Sequence, residues 1–136
     1  MRRLAPFAIA VSLAAGCGGG GTLSHDSLRK EAESIQSVAA EGALLAHDSA
    51  DGRTTTPFVS VHSEVLAESA GKVAQKLESA AVEPGLEQDR ARAERLATRI
   101  EEELDQLDEH PDDQVEARRV ADELDQAAKA AEELAR

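Results

Sequence analysis

The chain has 136 residues, with 41% apolar and 31% charged side chains, a formal charge of −12, two Phe and neither Tyr nor Trp. That length is one domain, or a small domain behind a processed leader. A mixture dominated by Ala, Glu, Leu and Arg and poor in β-branched and aromatic residues excludes a β-sandwich, a barrel or a base-stacking surface, and points to long helices.

The chain opens with Arg2 and Arg3 ahead of an apolar run over residues 4–15 (LAPFAIAVSLAA). A bilayer-spanning helix needs about 20 residues, so this run is too short to cross a membrane, and its position behind two arginines reads as a targeting segment. Next comes Leu13-Ala14-Ala15-Gly16-Cys17, followed by four glycines. Small residues before a cysteine and a Gly tract after it resemble the lipobox of bacterial lipoproteins. Ala14 departs from the family's usual Leu or Val at the third position before the cysteine. The resemblance covers residues 1–21 only. It implies that a peptidase removes residues 1–16 and that Cys17 becomes the acylated N-terminus. It also implies an exported protein anchored to the outer face of the cell membrane or to the periplasmic side of an envelope membrane.

Cys17 is the only cysteine, so no intramolecular disulfide is possible, and acylation would occupy a thiol that is a liability in an oxidising compartment. Loss of residues 1–16 would remove two of the 15 basic residues against 27 acids, taking the charge from −12 to −14. Such a surface repels nucleic acid and anionic lipid, which leaves acylated Cys17 as the hold on the bilayer. Residues 17–23 form the tether, with an r.m.s. span of ~15 Å, and the helical domain covers residues 24–136.

Four amphipathic segments follow. The first runs from about Ser24 to His47, with Leu28, Ala32, Ile35, Ala39, Gly42 and Leu45 on one stripe that Val38 and Leu44 widen, and ends in the turn residues 48–52. Thr56 reads as an N-cap with Pro57 at the first helical position. The second segment extends to about Ala81, with an expected seam of Val61, Val65, Leu66, Ala70, Val73, Leu77 and Ala80, and Glu83-Pro84-Gly85 breaks it. The third spans about Leu86 to Glu109, with a seam of Leu86, Ala93, Ala97, Ile100, Leu104 and Leu107 that Leu96 broadens. Pro111 is expected at the start of the fourth, whose seam is Ala117, Val120, Leu124, Ala127, Ala131 and Leu134.

Four matched segments joined by short loops predict an all-α, antiparallel up-down four-helix bundle with coiled-coil-like spacing; two helical hairpins hinged at residues 83–85 are the alternative. For the last two segments a turn near His110-Pro111 sets facing residues whose numbers sum to about 221.

No constellation for catalysis emerges, so no enzyme activity or cofactor is assigned. The four histidines lack the Glu-x-x-His pairs of di-iron bundles. His47 and Asp48, with His62 across the first loop, could approach a shared metal, but solvated surface is the preferred reading and no metal ligand is assigned. The acids of residues 48–52 are out of register for a calcium loop, and no Gly-x-Ser-x-Gly elbow or phosphate-cradling Gly loop is present. Phe58, the lone aromatic after the leader, is expected to plug one end of the bundle; a partner contact is the other reading. The functional expectation is a membrane-anchored envelope lipoprotein acting as a helical interaction or structural module towards an unidentified envelope protein, with small-molecule or metal binding near His47 and His62 as the alternative.

Overall fold

The computed structural model describes residues 21–136. The leader and lipid-attachment readings at residues 1–16 and Cys17 therefore lie outside the described residues. Four helices make up the fold: α1 (His25–Ala50), α2 (Thr56–Ser79), α3 (Glu87–Glu109) and α4 (Gln114–Leu134). Among the described residues there is no strand, only an isolated parallel bridge between Leu23 and Val82.

Local chemistry sets the helix ends. The Ser24 hydroxyl accepts from the Ser27 amide at the start of α1. At its other end α1 extends through Asp48, Ser49 and Ala50, residues expected in the turn. The helix can continue because the Asp48 carboxylate is held by Arg53 and the Ser49 hydroxyl donates to the Pro111 carbonyl across the bundle. The cap of α2 falls on Thr55, one residue earlier than expected and without a side-chain hydrogen bond. Pro111 does not open α4. It sits in the turn, and Asp113 is the cap, its Oδ1 accepting from the Val115 and Glu116 amides at 2.9 and 3.0 Å.

The chain folds as an all-α four-helix bundle, in which α1 packs most closely on α4 and α2 on α3. Both close pairs run between the hairpins α1–α2 and α3–α4 that the alternative kept apart, so the four helices share one bundle and the two-hairpin alternative is not adopted. Between α3 and α4 the ion pairs Arg99–Glu123 and Arg119–Glu103 each join residues whose numbers sum to 222, within one of the expected register. Arg119 lies above its ordinary pKa, chiefly through its hydrogen bond to Glu116 and then that to Glu103.

The core is built largely from alanine. Ala39, Ala46, Ala97, Ala117, Ala121 and Ala131 are fully buried, with Ile35, Leu77, Ile100, Leu104, Leu107 and Leu124 supplying the bulk. Small side chains permit close approach, and Gly42 of α1 is the extreme case. A Cβ there would lie 2.9 Å from Leu104 Cδ2 and 3.0 Å from Leu124 Cδ1. One residue thus lets α1 contact α4 and reach diagonally to α3.

α2 departs from the expected seam. Val61 and Val65 face outward, whereas Val59, Ser63, Ala67, Ala70, Ala74 and Leu77 are buried. Ser63 is fully buried yet satisfied, its hydroxyl donating to the Val59 carbonyl at 2.6 Å. The larger valines suggested one stripe, but close contact with α3 selects the stripe of smaller residues beside it. The outcome leaves apolar side chains in solvent.

Candidate interaction groove

The displaced stripe of α2 stands beside the C-terminal half of α1. Leu44 (63% exposed), Phe58 (48%), Val61 (56%) and Val65 (56%) are the exposed large apolar residues of this face. Between the two helices lies a groove of about 330 Å³ lined by Leu44, Leu45, Phe58, His62, Val65 and Leu66, with Glu41 and Asp48 as its charged members. It exists because α1 is drawn onto α4 and α2 onto α3, so the α1–α2 seam is the less closely packed one.

Phe58 does not plug the bundle. It is half exposed and its ring stacks on His62, with centroids 3.8 Å apart and planes 25° from parallel. His62 Nδ1 is 2.9 Å from the Phe58 carbonyl oxygen, a contact that fixes the imidazole along its own helix. Phe58 and His62 are one turn apart on α2, the spacing at which side chains meet on a helix surface. Together they form a rigid flat element of the groove wall.

The structure does not gather His47, Asp48 and His62. The His47 ring turns to α4, with Nε2 2.9 Å from Asp125 Oδ2, while Asp48 is bound by Arg53 and His62 lies on Phe58. Among the described residues no group of three or more His, Cys, Asp or Glu side chains is placed to hold a metal ion. What the region offers chemically is apolar contact area with an acidic edge. No helix among the described residues is long and apolar enough to cross a membrane.

The groove lies far from the start of the described chain. Leu23 is clamped to the α2–α3 connection: its amide donates to the Ala81 carbonyl at 2.8 Å, and its carbonyl accepts from the Glu83 amide at 3.1 Å. Leu44 is some twenty residues further along α1, roughly 30 Å away at 1.5 Å per residue. The described chain therefore begins at one end of the bundle and the groove opens near the other. This clamp was invisible to period-based reading, because Ala80 and Ala81 continue the apolar pattern of α2 while the backbone at Ala80 is already extended (ψ 131°).

The groove was only partly legible. The sequence pattern marks Phe58 as singular, but it places Val61 and Val65 on the core seam and Leu44 at the edge of the α1 stripe. The available signal was the excess of apolar positions on α2, more than one buried stripe can hold. Comparison of the chain with protein-family models, with curated proteins and with solved structures finds no match.

Proposed function

We propose that this chain is an envelope lipoprotein, anchored in the bilayer through acylated Cys17, whose helical bundle serves as an interaction module. The observation that carries the interaction role is the apolar groove between α1 and α2, lined by the exposed Leu44, Phe58 and Val65, with the exposed Val61 beside it on α2. Isolated exposed apolar residues are ordinary on a protein surface, whereas several grouped around one concavity mark a contact site. The anchor rests on the Leu13–Cys17 sequence and its Gly tract.

The clamp at Leu23 supports the combination. A short tether leaving the α2–α3 end would hold that end at the membrane and present the groove outward, roughly 30 Å from the clamp. A second reading, binding of a small apolar molecule, is favoured by the groove's volume of about 330 Å³, at the lower edge of ligand-site sizes.

The anchor is tested by fractionation of the native host. The wild-type chain is expected with the membranes, and Cys17→Ser is expected to accumulate as an uncleaved precursor. If the Ser variant is cut and released at the same position as the wild type, an ordinary export signal replaces the lipoprotein reading. The interaction role is tested by a photo-crosslinking residue at Val61, with one at the exposed Arg95 of α3 as the control position. A discrete adduct from Val61 that is missing from the control is expected; equal yields from both sites would overturn it.

A further inference from the structure

We infer that the α1–α2 groove receives a basic amphipathic helix of a partner protein, an inference that rests on the reading of the chain as a tethered interaction module. Shape is the first argument. The lining runs from Glu41 to Asp48 on α1 and from Phe58 to Leu66 on α2, about 12 Å of each helix, or a little over two turns. A trough between two helices, open along its length, matches a third helix laid into it, with anchor side chains at i, i+3 or i+4, and i+7. Leu44, Phe58 and Val65 supply the apolar wall such anchors need.

Charge is the second argument and selects among occupants. No Lys or Arg lines the groove, and its charged members are both acids. Arg53 offsets Asp48 through contacts of 2.8 and 3.0 Å, but Glu41 makes only a hydrogen bond with the neutral Ser37 hydroxyl. Glu64, also exposed, follows Val61 by three residues and stands at the outer edge of the same stripe. The whole chain carries 27 acids against 15 bases.

A second copy of this chain would bring the same acids to the same rim, so self-association through the groove sets like charge against like. An anionic bilayer is repelled for the same reason, and the groove lies at the end away from the Leu23 clamp. A helix with an apolar strip flanked by Lys or Arg satisfies both the wall and the rim. Electrostatic complementarity of this kind chooses the partner and speeds encounter, while the apolar anchors hold it.

The experiment uses the full chain, from whichever fraction (membrane or aqueous) it is recovered, and two fluorescent 18-residue helical peptides. Both carry Leu at i, i+3, i+4 and i+7 repeats; one has Lys on the flanks and the other Glu. The Lys peptide is expected to bind at least about tenfold more tightly near 0.1 M salt, with the difference shrinking in 1 M NaCl. Leu44→Ser is expected to weaken it about tenfold without changing the melting temperature, since that side chain is largely in solvent. Glu41→Lys should narrow the preference between the peptides.

Equal affinity for the two peptides overturns the charge argument, and an unaltered Leu44→Ser variant shows that the peptide binds elsewhere. Concentration-dependent dimerisation abolished by Leu44→Ser would assign the groove to a second copy instead. Saturable binding of a small apolar dye with neither peptide bound would assign it to a small molecule. Recovery in the membrane fraction reads the anchor and peptide affinity reads the groove, so the two readings fail separately.

Discussion

The two sides of α1 follow opposite packing rules. Towards α4 and α3 it presents Ala39, Gly42, Ala43 and Ala46, and the large side chains of the neighbouring helices fill the space these leave. Towards α2, its C-terminal half presents Leu44, Leu45 and Asp48, and the helices stand apart around a groove. Small residues bring helices together because dispersion and burial reward contact at short range, while large ones on the seam hold the backbones apart. Stability is concentrated on the side with little side-chain bulk, and apolar surface is left on the side with more. This inversion separates the part that holds the fold from the part available for contact.

The sharpest way to break the comparison is to place the same charge on each side. Leu124 is fully buried and packs over Gly42, so Leu124→Asp is expected to cost about 4 kcal/mol or more by burying an unpaired carboxylate. Val65→Asp puts the identical group at the groove, where half the residue is already in water, and should change stability by no more than about 0.5 kcal/mol. Urea unfolding of both variants measures the difference. Comparable losses would mean that the groove side carries as much of the stability as the α1–α4 side, contrary to the packing.

This division also explains what the sequence could and could not disclose. The stripes of α3 and α4 were legible almost residue by residue, because each helix has one apolar face and polar residues elsewhere. Ala93, Ala97, Ile100, Leu104 and Leu107 are all buried, as are Ala117, Val120, Leu124, Ala127 and Ala131, while Leu86 and Leu134, at the outer ends of the two seams, are only partly buried. α2 has apolar residues on two adjacent stripes, and period alone cannot decide which is inside. Size favours Val61 and Val65; close packing against α3 favours Ser63 and Ala67, and tertiary packing prevailed. The part of the molecule hardest to read was therefore the part with surface to spare. The Leu23 clamp was illegible for a different reason, since backbone pairing of a tether with a distant loop leaves no side-chain pattern.

A subtler comparison uses the two helix-interior glycines, Gly42 where α1 meets α3 and α4, and Gly71 where α2 meets α3. Replacing Gly by Ala in a helix gains about 1 kcal/mol in propensity wherever the methyl group has room. At Gly42 it does not: the new Cβ meets two fully buried leucines at 2.9 and 3.0 Å, and overpacking of this kind costs about 1–3 kcal/mol. At Gly71 the Cβ meets only the Glu101 carboxylate, the far end of a flexible side chain, with Oε1 at 2.6 Å. Gly42→Ala is expected to destabilise by about 1 kcal/mol net, and Gly71→Ala to stabilise by about 0.5 kcal/mol, as Glu101 swings into water. Thermal melting of the pair decides it; a Gly42→Ala variant that melts higher than the wild type would mean that close approach at Gly42 is not what sets the α1 packing.

The smallest effect concerns the acidic outer surface of α3. The Asp105 carboxyl lies above the usual carboxylate range, first through partial burial and then through the negative neighbours Glu109, Asp108 and Glu102. A raised folded-state value means that the folded chain holds this proton more tightly than the unfolded chain does. Stability is therefore lost as pH rises from the ordinary Asp value through the raised one, and the penalty is complete above that window. Asp105→Asn removes the charge and keeps the shape, so at pH 7 and low salt it should raise the melting temperature, by no more than about 2 °C. At pH 3 the wild-type carboxyl is itself protonated and the advantage should vanish. In 1 M NaCl at pH 7 it should shrink without vanishing, because salt screens the neighbouring acids but does not restore the water lost on burial. An advantage that persists unchanged at pH 3 would trace the gain to the amide itself, and the like charges crowding this face of α3 would then carry no measurable cost.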